Sequence, residues 1–393
     1  MSEISTIGDR LKRLRGDRGL TQEELAEASR VSRDLISMLE RNRRTSARLS
    51  TISALAHGLD VEIGELVDRR DHLKSDRDGG SVLAVRDALL NPALLPGIDP
   101  DDDGEPTPLE ELEARISAAW EQYWAGRFGE LLASLPGLLG EARITHAALG
   151  AAGVEALALA YDVASSLMVQ IGRTDLGAVA AERAITVAHT GDDQLLWAVL
   201  HAGYSWVLLH QGRYEESEEL NATMAERIEP SFRDDDLQIG VWGKLLLGAV
   251  APAVARDRDP IEYLKLAGAG AERIGRPVEL YGEAPFAQAT VHMQATYGYS
   301  VLKKPGKALE AAQRIRPGDL QGISHGAHLM DVALARVDYG HHKAAVQALL
   351  EARAVSPVWF RHQRVAREAV TGIREWETRM SAEVKSLARS LDL

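Results

Sequence analysis

A run of charged and polar side chains between Ser32 and Arg44 has the composition needed to contact nucleic acid. Arg33 can donate two hydrogen bonds to guanine O6 and N7, and Asp34 can accept from cytosine N4 or only orient Arg33. The guanidinium groups of Arg43 and Arg44 suit contacts with backbone phosphates. The run therefore indicates recognition of double-stranded DNA, provided that one rigid element presents these side chains.

Short amphipathic helices are predicted to provide that element. Apolar spacing predicts a first helix over residues 7–18. Thr21 with Glu24 three residues later forms a capping box for a second helix. After a turn at Arg30, Ser32 caps a third helix, and a fourth and fifth are expected over residues 49–59 and 61–67.

The third predicted helix has a buried and an exposed side. Its apolar stripe consists of Leu35, Ile36 and Leu39. The side chains left outward near its start are Arg33, Asp34, Ser37 and Met38. A helix that exposes its N-terminal half in this way fits a major groove.

The segment IGDRLKRLRGDRGLTQEELAEASRVSRDLISMLERNRR, followed by LSTISALAHGLDVEIGELV, resembles the XRE-type (Cro/repressor-type) helix-turn-helix domain. The resemblance implies an operator-binding head in which Arg33, Asp34 and Met38 read bases beside Ser37, and in which Gln22, Asn42 and Arg43 contact phosphates. With the cap residue and the last arginine, the predicted DNA-binding set is Gln22, Ser32, Arg33, Asp34, Ser37, Met38, Asn42, Arg43 and Arg44.

Two positions depart from the family pattern. Arg30 stands at a turn position that is usually glycine, which costs about 1 kcal/mol if its backbone is left-handed. The loop over residues 45–48 is one residue longer than usual.

Composition limits the alternatives. The net charge is −13, yet residues 1–48 carry 11 Lys and Arg against 8 Asp and Glu, whereas the rest carry 34 against 50. The acidity therefore lies outside the predicted DNA-binding segment. The chain has no cysteine, which excludes disulfides and thiolate metal sites. Without an apolar run of about 20 residues or a signal peptide, we expect a cytoplasmic protein with no membrane partner.

The 393 residues divide by pattern into three regions. Residues 5–69 form the predicted head, residues 70–107 a linker with one possible helix over 81–90, and residues 108–393 a continuous helical region. β-Strand signals are essentially absent. The fold class is therefore all-α: a five-helix head followed by an α-solenoid.

Breaks in the third region recur about every 35 to 50 residues, which is the period of stacked helix hairpins. They fall at Gly126-Arg127, Gly172-Arg173, Gly212-Arg213, Asp257-Arg258, Lys303-Lys304 and Gly340-His341. The segment 326–357 resembles a tetratricopeptide repeat, although Arg336 stands where an aromatic residue is usual, and the segment from Trp197 to Leu220 is a second instance. Five or six degenerate repeats are expected.

Such a stack forms a curved groove lined by the first helix of each pair. The repeat phase directs seven side chains into the groove, namely Trp120, Tyr123, Asp162, Ser166, Trp206, Met293 and Tyr297. Each of them is also compatible with ordinary core packing. Similarity to bacterial regulators that join such a head to a repeat domain implies a peptide or small-molecule effector. Asn221 is the sole asparagine beyond the linker, which does not favour a clamped peptide backbone.

Signals for catalysis and metal binding are weak. The glycine-rich segment 268–275 lacks a preceding strand and a lysine-hydroxyl ending, and the histidine pairs at 325/328 and 341/342 lack a carboxylate at helical metal spacing. No enzyme, metal or cofactor is predicted.

The last apolar pattern, from Ala366 to Leu391, either caps the solenoid or forms a dimer helix. Overall, the sequence predicts a ligand-responsive transcriptional regulator that binds an inverted-repeat operator as a homodimer. The alternative is an interaction scaffold in which the head docks on the repeats. The sequence leaves open the effector, the operator and whether the protein represses or activates.

Overall fold

The computed structural model describes residues 6–44, 47, 49–59, 61, 66, 82–91, 104–231, 233, 235–376 and 380–393. These residues form an almost entirely helical protein, as predicted. The helices of the N-terminal part are α1 (Ile7–Asp17), α2 (Gln22–Ser29), α3 (Arg33–Glu40), α4 (Leu49–Leu59) and α5 (Val82–Leu89). Parts of the predicted longer loop, the fifth helix of the head and the linker lie outside the described residues.

The remaining elements follow from residue 109 onward. The helices of the first three pairs are α6 (Leu109–Trp124), α7 (Phe128–Leu149), α8 (Val154–Gln170), α9 (Thr174–Ala188), α10 (Gln194–Gln211) and α11 (Tyr214–Arg227). They are followed by α12 (Asp236–Gly248), α13 (Val250–Ala255), α14 (Ile261–Ile274), β1 (Val278–Leu280), β2 (Glu283–Phe286), α15 (Gln288–Val301) and α16 (Pro305–Ala312). The last helices are α17 (Gly322–Asp338), α18 (His342–Val355), α19 (Pro357–Arg361), α20 (Arg364–Trp376) and α21 (Ala382–Ser390).

The chain divides into two compact units. The head unit comprises Met1–Ser75 with His210–Arg213, and the repeat unit comprises Asp76–Leu209 and Tyr214–Leu393. Each unit has its own hydrophobic core.

Local hydrogen bonds define the helices of the head as the sequence predicts. The capping box at Thr21 and Glu24 is present, and the Ser32 hydroxyl accepts from the backbone N–H of Leu35. Arg30 lies in the left-handed region, with φ 55° and ψ 23°, so the non-glycine turn residue adopts the backbone that the family's glycine would favour.

The core of the head joins α1 through α4. It contains Leu11, Leu25, Ile36, Leu39 and Leu55, all almost fully buried. The predicted stripe on α3 is confirmed for two of its three residues, since Leu35 is only half-buried.

In the repeat unit, helices pack against each other across the predicted breaks at Gly126, Gly172, Lys303 and Gly340, and α8 with α9 and α17 with α18 pack most extensively. Across the break at Gly212, Ser205 of α10 donates to the carbonyl of Ser217 of α11 at 2.9 Å. Near the break at Asp257, α14 packs instead against α12. The first residue of all six predicted breaks has a positive φ, and three of these residues are Gly126, Asp257 and Lys303. A left-handed residue follows each first helix, where it lets the chain reverse direction.

The C-terminal apolar stripe caps the array. Ala366, Val370 and Ile373 of α20 and Leu387 of α21 are fully buried in the core of the repeat unit. Capping, rather than a free dimer helix, is therefore the role that the structure supports for this stripe. Trp376 differs, because it is 61% exposed.

A two-stranded hairpin corrects the expectation that strands are absent. β1 and β2 pair antiparallel around Tyr281 and Gly282, which have φ of 51° and 85°. Two consecutive left-handed residues are what a tight hairpin turn of this kind requires. Val278, Leu280 and Phe286 bury the hairpin against α12. The strands are too short to stand out within a helical sequence.

Two segments are long and apolar enough to cross a membrane by length and composition, which corrects the expectation that no such run exists. They are Phe128–Gln170 and Asp236–Ala255, whose most apolar windows are 56% and 67% buried inside the protein. Burial of this extent is typical of core helices, and the first segment is interrupted at Gly150 between α7 and α8.

Candidate functional site

Helix α3 presents the predicted base-reading side chains on its exposed side. Arg33 and Asp34 are exposed, Met38 is 39% exposed and Ser37 is half-buried one turn after Arg33. The opposite side is fixed by burial of Ile36 and Leu39. The exposed positions 33, 34 and 38, with the half-buried Ser37 between them, thus form one continuous patch along the first two turns of α3.

Arg33 is already oriented on the surface by an acidic neighbour on α2. Its Nε lies 2.7 Å from Glu23 Oε1, and both side chains are 61% exposed. An ion pair between exposed side chains contributes little to stability, so a base edge can replace Glu23 as the partner.

Glu40, at the end of α3, joins three helices through a buried polar network. Arg15 donates from Nε and Nη2 to the two carboxylate oxygens at 2.6 and 2.9 Å, and Gln22 Nε2 donates at 2.7 Å. Burial acts to raise the pKa of Glu40, but the hydrogen bonds from Arg15 and Gln22 hold it below its ordinary value. The network fixes α3 to α1 and α2.

The predicted phosphate-contacting residues divide into two groups. Gln22 and Asn42 are engaged inside the head: Asn42 Nδ2 donates to Asp9 Oδ1 at 3.1 Å, and its Oδ1 accepts from Thr6 at 2.6 Å. Asn42 also has φ 54°, the predicted left-handed end of the helix. These two amides position the elements of the head, and only their remaining N–H groups can reach a phosphate.

The arginines after α3 belong to the other group. Arg43 and Arg44 are exposed, and their backbone N–H groups both donate to the carbonyl of Met38 at 2.9 and 3.1 Å. This turn keeps both side chains next to the end of α3. Ser32 is exposed and acts as the N-cap of the helix.

Of the predicted groove residues, Trp120, Tyr123, Asp162 and Ser166 lie on α6 and α8 and are buried. Gln170 donates to the Tyr123 hydroxyl at 3.2 Å. The rings of Trp120 and Tyr123 meet edge to face at 5.4 Å, and Trp120 packs against Gly282 of the hairpin, so these side chains are covered rather than left on an open groove.

The other three predicted groove residues belong to later pairs. Trp206 on α10 is 38% exposed, and Met293 and Tyr297 on α15 are half-buried. Burial raises the pKa of Tyr297. Its helix, α15, packs against α17.

The ends of the repeat array contact each other, which the repeat phase did not predict. Ser356 donates to the carbonyl of Gly126 at 3.0 Å, and Trp359 Nε1 donates to Gln170 Oε1 at 3.2 Å. The hairpin tip adds contacts across the array: Trp124 Nε1 donates to the carbonyl of Gly282 at 2.8 Å. The inner side of α6 and α8 is therefore covered by the chain itself.

Comparison with known proteins identifies the head. The helix-turn-helix family model matches residues 11–66. The chain is 35% identical over 118 residues to the immunity repressor protein of Bacillus phage phi105, a match that covers 29% of this chain and 81% of that protein. It is 28% identical over 92 residues to the transcriptional regulator SinR of Bacillus subtilis (strain 168), covering 23% of this chain and 80% of SinR.

A solved structure has weaker similarity over a longer part of the chain. It is the crystal structure of Bacillus thuringiensis PlcR in complex with the peptide PapR7 and DNA, with a TM-score of 0.32 and 14% identity. The match covers 69% of this chain and 96% of PlcR.

Proposed function

Because the chain belongs to the XRE-type helix-turn-helix family of DNA-binding transcriptional regulators, we propose that it controls transcription by placing α3 in the major groove of an operator. The patch of Arg33, Asp34, Ser37 and Met38 on a helix held from behind by the Glu40 network carries this proposal. Residues 5–69 act as the head, 70–107 as the linker and 108–393 as the regulatory part.

The roles of the individual residues follow from their exposure and chemistry. Arg33 pairs with guanine, Asp34 accepts from cytosine or orients Arg33, and Met38 and Ser37 contact neighbouring base edges. Arg43 and Arg44 bind phosphates on the flanking backbone, while Gln22, Ser32 and Asn42 use remaining N–H or hydroxyl groups there. Asp34 and Glu23 also repel phosphates, which helps to keep the arginines at the base edges and the rim.

One head is too small for tight, specific binding on its own. A single helix-turn-helix head buries about 600–1,000 Å² of protein surface on DNA, and doubling the contact is the usual way to compete with non-specific sites. We therefore propose a homodimer that reads an inverted repeat with half-sites about 34 Å apart. In this proposal the repeat unit binds a peptide or small-molecule effector, mediates dimerisation, or does both, and an effector acts by changing the spacing of the two heads.

Two arginine variants test the DNA interface. Arg33→Ala should weaken binding to DNA flanking the protein's own gene by about 1–3 kcal/mol, with little effect on random DNA. Arg43→Ala should weaken both and reduce the slope of log K against log salt by about 1. Fluorescence anisotropy over a salt series measures both quantities. Equal losses on both DNAs for both variants would contradict the assignment.

The assembly is tested by light scattering on the full chain with and without a palindromic duplex. We expect the mass of two chains per duplex. A monomer that binds one half-site per duplex would refute the dimer and, with it, control through head spacing.

A further inference from the structure

An acidic side chain of α2 contacts one of the base-reading residues at the surface of the head. Glu23 is the second residue of α2, and Arg33 is the first residue of α3. Arg33 Nε lies 2.7 Å from Glu23 Oε1, and both side chains are 61% exposed. The ion pair therefore joins the N-terminal ends of the two helices that form the helix-turn-helix.

The nitrogen through which Arg33 meets Glu23 decides what the rest of its guanidinium can do. The group is planar and rigid, with Nε on one side and the two donors Nη1 and Nη2 at its tip. Because the contact is made through Nε, the tip can donate two hydrogen bonds to guanine O6 and N7 while the ion pair stays intact. Glu23 thus limits the rotation of the plane and sets the direction of these two donors.

The neighbouring acid Asp34 does not hold this position. Asp34 follows Arg33 directly in α3, and successive side chains of a helix point about 100° apart. Among the described ion pairs of the head, the one that Arg33 makes is with Glu23. A residue of α2 therefore orients Arg33 in this structure, and Asp34 remains available to accept from cytosine N4.

The charge of Glu23 has a second effect, which concerns DNA of any sequence. Each cationic side chain that neutralises a phosphate adds about 0.9 to the slope of log K against log salt, whatever the bases are. When Arg33 is paired with Glu23, the two side chains together carry no net charge, and the carboxylate repels phosphates. A guanine edge is uncharged, so the same carboxylate does not repel it in this way. The ion pair therefore favours a base over a phosphate as the next partner of Arg33.

We propose that Glu23 is a specificity-determining residue of the operator interface. It positions the tip of Arg33 for guanine and prevents Arg33 from acting as a general phosphate ligand. Glu23 itself contacts no base, so it is a positioning residue that acts through Arg33. This inference rests on the proposed function, since it states how the same interface separates an operator from other DNA.

Selection from a pool of randomised duplexes with the full chain tests the positioning role. The sequences that the wild type retains define its preferred site, and Arg33→Ala identifies the guanine that Arg33 reads as the position whose preference is lost. Glu23→Gln keeps the size of an exposed side chain and removes its charge, so the head should fold as in the wild type. A bidentate contact supplies about 5- to 150-fold discrimination, and Glu23→Gln should reduce it at that position by about threefold or more.

Fluorescence anisotropy with one selected duplex and one scrambled duplex tests the effect on phosphates. Glu23→Gln should bind the scrambled duplex about five- to tenfold more tightly at about 0.1 M salt, because Arg33 gains a phosphate contact. Its salt slope on the scrambled duplex should be steeper by about 1. The ratio of the two affinities, selected over scrambled, should fall by about fivefold or more.

Glu27→Gln is the matched control. Glu27 is exposed on the same helix one turn after Glu23, so the substitution removes the same charge but leaves Arg33 with its partner. It should keep the guanine preference of the wild type and most of its affinity ratio. In an Arg33→Ala background, Glu23→Gln and Glu27→Gln should have equally small effects, because the residue through which Glu23 acts is gone.

Three results would overturn the proposal: wild-type guanine preference and affinity ratio in Glu23→Gln, an equal fall of the ratio in Glu27→Gln, or an undiminished effect of Glu23→Gln in the Arg33→Ala background. Any of them, together with selective DNA binding by the wild type, rejects this inference alone. A wild type that retains no common sequence from the pool, or that binds all duplexes equally, would instead refute the proposed function.

Discussion

Arg30 offers a quantitative test of how the turn before the recognition helix is built. Its backbone is left-handed, with φ 55°, and its side chain is exposed. A left-handed conformation costs a non-glycine residue about 1–2 kcal/mol. Glycine avoids this strain but loses about 0.5–1 kcal/mol more backbone entropy on folding. Arg30→Gly should therefore stabilise the head by about 0.5–1 kcal/mol.

Hydrogen exchange of the full chain, read by mass spectrometry, measures this change locally. The seven tryptophans all lie between residues 120 and 376, so their fluorescence does not report on the head. Backbone amides of α2 and α3 should exchange about two- to fivefold more slowly in Arg30→Gly, since 1.4 kcal/mol corresponds to a factor of ten. Peptides from the repeat unit should exchange at the wild-type rate.

Glu27→Gly is the matched control, because it places glycine in the right-handed interior of the same helix. There the substitution should cost about 1 kcal/mol, and the same amides should exchange faster. If Arg30→Gly also exchanged as fast as or faster than the wild type, the strain argument for this turn would be wrong.

Further predictions concern the Glu40 network of the head and the hairpin tip of the repeat unit. Glu40→Ala should destabilise the head by about 3–5 kcal/mol, because it leaves the Arg15 charge without its buried partner. The extra stability of the wild type over Glu40→Ala should be fully present above the unfolded glutamate pKa of about 4.3. It should be lost as the pH falls through the lower pKa of Glu40 in the folded head. Hydrogen exchange of α1 to α3 at a series of pH values measures this loss. Gly282→Ala adds a methyl group 2.3 Å from Trp120 at φ 85°, and should destabilise the repeat unit by about 2–4 kcal/mol in tryptophan-detected melting. Gly318→Ala is its control, because φ is 93° but no atom lies within 4 Å of the added carbon, so only the backbone strain of about 1–2 kcal/mol applies. Equal effects of the two glycine substitutions would show that the Trp120 contact is not tight.

The head is the part of the protein that the sequence alone determined best. Its caps at Thr21 and Ser32, its left-handed Asn42 and the bounds of α4 all depend on residues a few positions apart. Such local hydrogen bonds and backbone preferences are written directly into the sequence. The helix-pair array was predictable for the same reason, since each first helix ends at a left-handed residue that the sequence marks.

The tertiary structure decided which of these residues remain available for function. The family resemblance predicts phosphate contacts for Gln22 and Asn42, but folding brings Glu40 within 2.7 Å of Gln22 and Asp9 within 3.1 Å of Asn42. Both amides are therefore partly used inside the head. Exposure and periodicity cannot reveal such partners, because these partners lie 18 and 33 positions away in the chain.

The covering of the inner side of α6 and α8 depended most on tertiary structure. The repeat phase correctly places Trp120, Tyr123 and Asp162 on first helices, yet it carries no information on what covers them. The cover comes from Gly282, 158 positions beyond its partner Trp124, and from the Ser356 contact with Gly126 across 230 positions. A nearest-neighbour repeat pattern specifies how each pair stacks on the next. Whether the first helix pair meets the last depends on the curvature added by every pair between them. Only the folded chain determines that sum.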